Sequence, residues 1–181
     1  MHSQTVTGKI KKSELGFTLM HEHIFCDLRK PEQRKDLLSN QERININNRF
    51  EINYYQNNNQ HNLILDEYEK AVDELNFYRE FGGNTIVELS TIGLNPKPKK
   101  LYKISQETGV NIVIGTGHYT DDYLDEYSLN SSVEDLRMLM FQHLQDGFEG
   151  TNIRAGLIGE IGCSWHLKES EKKSLQAALE I

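Results

Sequence analysis

The sequence predicts an α/β chain built on parallel strands, and three observations carry that prediction. Four short apolar runs, each closed by glycine or serine, recur along the chain, and helical patterns separate them. With 181 residues the chain is long enough for one globular unit with a substantial core. Runs that are apolar throughout, rather than alternating, suit strands covered on both faces. A β-α order repeated four times implies right-handed crossovers, which leaves two architectures: an open doubly wound sheet or a β/α barrel.

Taken in order, a polar lead-in is followed by Gly16-Phe17-Thr18-Leu19-Met20, a first strand ending at His21. Residues 43–62 are dense in Asn and Gln, including Gln56-Asn57-Asn58-Asn59-Gln60, and read as a long polar loop. Leu65, Tyr68, Val72 and Leu75 then fall at helical spacing. Gly82-Gly83 precede a second strand, Ile86-Val87-Glu88-Leu89. Gly109 suits a helix C-cap after Lys103-Ile104-Ser105-Gln106-Glu107-Thr108, and Val110-Asn111-Ile112-Val113-Ile114 is the third strand. Ser132-Val133-Glu134-Asp135 opens a further helix in the manner of a capping box. Residues 155–161 make the fourth strand, and a last helical pattern begins near Ser170. It reaches Leu179-Glu180-Ile181 with no capping residue or following strand, as expected of part of a longer fold.

Composition narrows the function. A formal net charge of -7 argues against nucleic acid or anionic lipid, leaving a small molecule or a protein as partner. No run approaches the roughly 20 apolar residues of a membrane span, and the N-terminus lacks a basic start followed by an apolar stretch. A cytoplasmic protein is expected. Cys26 and Cys163, without a secretion signal, read as two reduced thiols. Three prolines form no linker, and no solenoid period is visible.

The chemistry starts at His21-Glu22-His23, where strand alternation projects both imidazoles to one side and Glu22 away. Two neutral imidazoles suit a borderline cation such as zinc, although paired histidines also lie solvated on edge strands. Glu160 sits among Ile158, Gly159, Ile161 and Gly162 in the most apolar strand, where burial costs several kcal/mol unless a cation or dense donors meet it. Ligation and a structural pair with Arg or Lys remain equal alternatives at this point. Glu88, followed by Ser90 and Thr91 at a strand end open to solvent, is a weaker ligand candidate than Glu160, with a supporting role an equal alternative. His118 reads as a loop residue near a pocket, and His2, His61, His143 and His166 fall in the tail, loops or helices. Mixed His and carboxylate ligation admits zinc, manganese, iron or cobalt, with zinc foremost.

Taken together, four segments resemble one family. Gly16-Phe17-Thr18-Leu19-Met20-His21-Glu22-His23 is similar to the first-strand motif of the phosphotriesterase-like branch of the amidohydrolase superfamily. Residues 155–165, ending Gly162-Cys163-Ser164-Trp165, resemble its fourth-strand segment, and residues 82–88 and 107–112 match in the same order. The resemblance implies a β/α (TIM-type) barrel of which residues 1–181 supply about the first four β/α units as one domain. It implies two divalent cations per complete site, with His21 and His23 on the more buried one and Glu160 bridging. It also implies Tyr119 lining the pocket, and attack by a shared hydroxide on an amide or ester of the N-acetyltaurine or N-acyl amino acid type. The family's further histidines and its proton-handling aspartate match nothing here, so no catalytic residue is expected within this chain. The alternative is a catalytically incomplete half barrel that binds metal or a partner, with self-association through unpaired barrel edges.

Overall fold

The computed structural model describes residues 1–34, 41–55 and 59–181. The chain opens with an antiparallel hairpin, β1 (His2–Thr5) and β2 (Gly8–Lys11), followed by β3 (Phe17–Glu22). Next come β4 (Cys26–Asp27), α1 (Arg49–Tyr55), α2 (Gln60–Leu63) and β5 (Ile64–Leu65). The repeating part is α3 (Tyr68–Glu80), β6 (Gly83–Glu88), α4 (Pro98–Thr108) and β7 (Asn111–Thr116). It continues through α5 (Glu126–Asn130), α6 (Val133–Gln145), β8 (Leu157–Ile158) and α7 (Glu169–Leu179).

β3, β6, β7 and β8 form one four-stranded sheet in that order, every pair parallel. The helices decide between the two architectures. Leu19, Ile86, Ile112 and Ile114 pack with Val72 and Leu75 of α3 and with Leu101 and Ile104 of α4 in the main core. Across the sheet, Val87, Leu89, Val113 and Leu157 form a small cluster to which no helix contributes. Leu136 and Met140 of α6 meet Ala177 of α7 beside Ile158 and Ile161. Helices on one face and a concave apolar lining on the other describe part of a barrel wall, not a doubly wound sheet.

Local signals act where the sequence places them. Gly109 adopts φ 70 after α4 and its N–H reaches the Ser105 carbonyl at 2.9 Å, a left-handed cap. Ser132 caps α6, its Oγ accepting the Asp135 N–H at 3.1 Å while Asp135 accepts the Ser132 N–H at 3.0 Å.

Three elements differ from the sequence reading. The polar lead-in is a hairpin because Val6 is buried and its N–H reaches Ile112 O at 2.8 Å, tying the N-terminus to β7. The loop read over 43–62 contains α1 and α2. Ile52 is buried and Asn59 caps α2 through the Asn62 N–H, so Asn serves here as a helix-starting residue; residues 56–58 lie outside the described ones. The fourth strand, read as 155–161, is only Leu157–Ile158. Gly159 stands at φ 129, a backbone region side chains rarely adopt, and turns the chain out of the ladder. A Cβ at Gly115 would meet Gly159 O at 1.8 Å, so both glycines are needed for the chain to leave β8 along this path.

Candidate metal centre

The turn at Gly159 delivers Glu160 from just beyond β8, across the sheet from the end of β3. The ladder between β3 and β6 is irregular between Leu19 and Glu22, so strict alternation does not govern the last residues of β3. His21 and His23 nevertheless face the same space, their rings 5.4 Å apart. His21 Nε2 lies 3.1 Å from Glu160 Oε2, and His23 Nε2 lies 3.9 Å from Glu160 Oε1. One ligand atom from each of the three residues lies within 4.8 Å of the others.

The electrostatics of this trio turn on the Glu160 carboxylate. Glu160 Oε1 is buried without a hydrogen-bond partner, and among the described residues no lysine or arginine forms an ion pair with this carboxylate. A buried carboxylate oxygen without a donor costs free energy, and a cation beside it would offset that cost. Burial holds His23 below the ordinary imidazole value, against the opposing pull of Glu160. A neutral ring keeps its lone pair for a metal. The donor set, two imidazoles and one carboxylate, therefore fits a borderline divalent cation.

Behind His23 stands a polar support. His23 Nδ1 and Ser90 Oγ are 3.1 Å apart, leaving Nε2 as the nitrogen turned toward Glu160. Glu88 Oε2 accepts the Ser90 N–H at 3.2 Å and Oε1 accepts the Ile24 N–H at 3.3 Å. Glu88 is thus not at a solvated strand end. It is 0% exposed, and burial pushes its carboxyl up to about 7 despite these donors. Its hydrogen-bond partners are the Ser90 side chain and the backbone of Ile24, Phe25 and Ser90. Ser90 escaped the sequence reading because a serine after a strand carries no signal of its own.

Tyr119 is held at the end of β7 by its N–H to Ile92 O at 2.7 Å, with its ring edge-on to Tyr123 at 5.1 Å. Burial raises its hydroxyl above the ordinary value, and the charge of Glu160 adds to the rise. His118 lies in the segment after β7, outside the named strands, but is buried there. It bridges in parallel to Ile92, is 2% exposed, and burial with the nearby His143 lowers it to about 4. His166 and Trp165 are exposed. Cys26 is buried and Cys163 exposed, both unpaired, and burial followed by Glu88 pushes the Cys26 thiol up to about 11, far from a nucleophile's range. No helix among the described residues is long and apolar enough to cross a membrane.

The chain is similar to known proteins over nearly its whole length. The sequence profile of the Phosphotriesterase family matches residues 1–180. An N-acetyltaurine hydrolase of Dictyostelium discoideum is 36% identical over 97% of this chain and 54% of its own length. A phosphotriesterase-related protein of Nematostella vectensis is 40% identical over 97% of this chain and 52% of its own. Among solved structures, a resiniferatoxin-binding protein from Rhodobacter sphaeroides superposes with a TM-score of 0.87 at 35% identity, covering 98% of this chain and 51% of that one. The chain spans about half the length of the relatives it matches, and the sheet is the corresponding part of their barrel.

Proposed function

The chain belongs to the phosphotriesterase family, and from that premise we propose that it supplies the first half of a metal-dependent hydrolase site acting on an amide or ester of a small molecule. The N-acetyltaurine or N-acyl amino acid type is the substrate class proposed, by likeness to the hydrolases at 36–40% identity. The observation that carries the reading is Glu160 Oε1, buried and without a partner, beside two histidine nitrogens.

In this reading His21, His23 and Glu160 would hold a divalent cation, zinc foremost and manganese, iron or cobalt compatible, in a site that takes two when complete. A cation bound there supplies Lewis-acid polarisation of the scissile bond and activation of water. Ser90 and Glu88 keep the His23 ring in one orientation. Tyr119 lies where it can meet a substrate approaching the trio. None of these residues is assigned the proton transfer, and three donors hold one cation more readily than two.

The test joins residues 1–181 to the second half of the Dictyostelium hydrolase and measures acetate release from N-acetyltaurine with added zinc or manganese. The folded chimera is expected to turn over, and its Glu160→Gln form and residues 1–181 alone are expected to match a metal-only control. A folded chimera that hydrolyses neither N-acyl amides nor lactones would overturn the reading.

A second reading rests on the sheet edges. Among the described residues β3 and β8 each lack a neighbour on one side, and Phe17 and Met20 of β3 are exposed. An open parallel edge with apolar side chains favours pairing with another chain, so a metal-binding half barrel that self-associates is the alternative. Light scattering of residues 1–181 tests it, a monomer at high concentration counting against it.

A further inference from the structure

Glu171 lies in the first turn of α7, eleven positions after Glu160 in sequence, and is 1% exposed. A carboxylate in that position of a helix ordinarily closes a capping box, accepting one N–H while remaining in solvent. Its Oε2 does accept the Lys168 N–H at 3.0 Å. The remaining donors come from outside the helix. Ser164 gives its N–H to Oε2 at 3.0 Å and its Oγ–H to Oε1 at 2.8 Å, and the Asp121 N–H reaches Oε1 at 3.2 Å. Ser170 of the same helix turn donates its Oγ–H to Asp121 Oδ2 at 2.5 Å. Burial raises the Glu171 carboxyl, but these donors outweigh it and hold the group below the ordinary carboxylate range, charged.

The donors belong to the two loops that carry the site. Asp121 follows Tyr119 by two residues, and Ser164 follows Glu160 by four. The same loops are pressed together at Gly162, whose N–H reaches His118 O at 2.9 Å and where a Cβ would meet Thr120 N at 2.3 Å. Glu171 is therefore the common acceptor that locks the segment after β8 against the segment after β7. A loop free to slide there would change the separation of Glu160 from His21 and His23, which lie on an element that Glu171 does not touch.

We propose that Glu171 is a positioning residue for the His21, His23 and Glu160 centre, setting the Glu160 carboxylate at its distance from the two imidazoles and Tyr119 beside it. The proposal rests on the metal-binding reading above. Outer partners of metal ligands typically govern affinity by about 10- to 100-fold, and Glu171 acts one step further out, through the backbone that bears the ligand.

The experiment titrates the purified chain with zinc and, separately, with cobalt(II), whose visible absorption reports ligand geometry. Wild type, Glu171→Gln, Ser164→Ala and the surface control Glu134→Gln are compared at a temperature where each is folded. Glu171→Gln keeps the size of the side chain but places an amide N–H₂ among N–H donors, and is expected to weaken zinc binding about tenfold or more and to alter the cobalt spectrum. Ser164→Ala removes one hydroxyl donor and should weaken binding less, about threefold, with a spectral change in the same direction. If Glu171→Gln does not fold, Ser164→Ala decides. Unchanged affinity and spectrum in a folded variant, with only a lower unfolding temperature, would reduce Glu171 to a structural cap and overturn the proposal while leaving the metal reading intact. Wild type that takes up neither metal would sink both.

Discussion

Two pairs of histidines in the same half barrel have opposite surroundings. His21, in β3, and His23, just after it, have 55% and 30% of their side chains exposed and face a carboxylate oxygen without a hydrogen-bond partner among the described residues. His118 and His143 lie behind β7 at 2% and 5% exposure. There His143 Nδ1 meets Thr116 Oγ1 at 2.8 Å and its ring stacks on Phe148 at 4.1 Å. No carboxylate approaches the inner pair closely enough to form an ion pair among the described residues, and burial drives both rings to about 4. The inner pair is packing material that happens to be imidazole. The outer pair stands beside a carboxylate with a buried, unpartnered oxygen, the setting on which the proposed metal site rests.

The largest expected effect follows from that contrast. Replacing His118 or His143 by Ala removes a ring from a filled interior, and for His143 also a hydrogen bond to Thr116. Each change should cost roughly 2–4 kcal/mol of folding stability, read by urea unfolding. The same replacement at His21 or His23, measured without metal, should stay within about 0.5–1 kcal/mol. Equal losses at the two pairs would erase the distinction.

A smaller effect comes from acid. The inner rings have folded values near 4, whereas free histidine titrates near 6.5. Between those values the unfolded chain binds more protons than the folded one, so stability is complete above about pH 6.5 and declines as pH falls toward 4. The decline should amount to roughly 1–3 kcal/mol per ring, and His143→Gln should flatten part of it. Unfolding curves at pH 7.5, 6 and 5 measure this. A stability that holds level from pH 7.5 to 5 would show that the inner rings are not kept neutral by the fold.

The same contrast explains how much could be read in advance. The β-α rhythm was legible because burial on both faces leaves apolar runs at residues 86–89 and 110–114, and the Gly109 and Ser132 caps act through local backbone chemistry. His21, His23 and Glu160 were legible as polar groups in apolar strands. The hairpin at residues 2–11 was not, since its strands are short and polar and their cover is a single buried valine, Val6. The overlong fourth strand failed at Gly159, whose φ no periodicity reveals. Gly115-Thr116-Gly117 before His118 suggests a loop, yet those glycines allow close backbone approach, to Gly159 O and Glu160 O, that keeps the chain against its neighbour. Ser90 and Glu171 acquire their roles only from tertiary contacts, so their residue types alone say nothing.

The central claim is that the outer trio is a metal site, and metal content tests it most directly. The wild-type chain, the His21→Ala/His23→Ala double variant and a His118→Ala control are loaded with zinc, freed of excess and assayed by elemental analysis. The account predicts bound zinc in the wild type and in the folded control, and loss of it in the double variant. Equal zinc in the wild type and the double variant would contradict it.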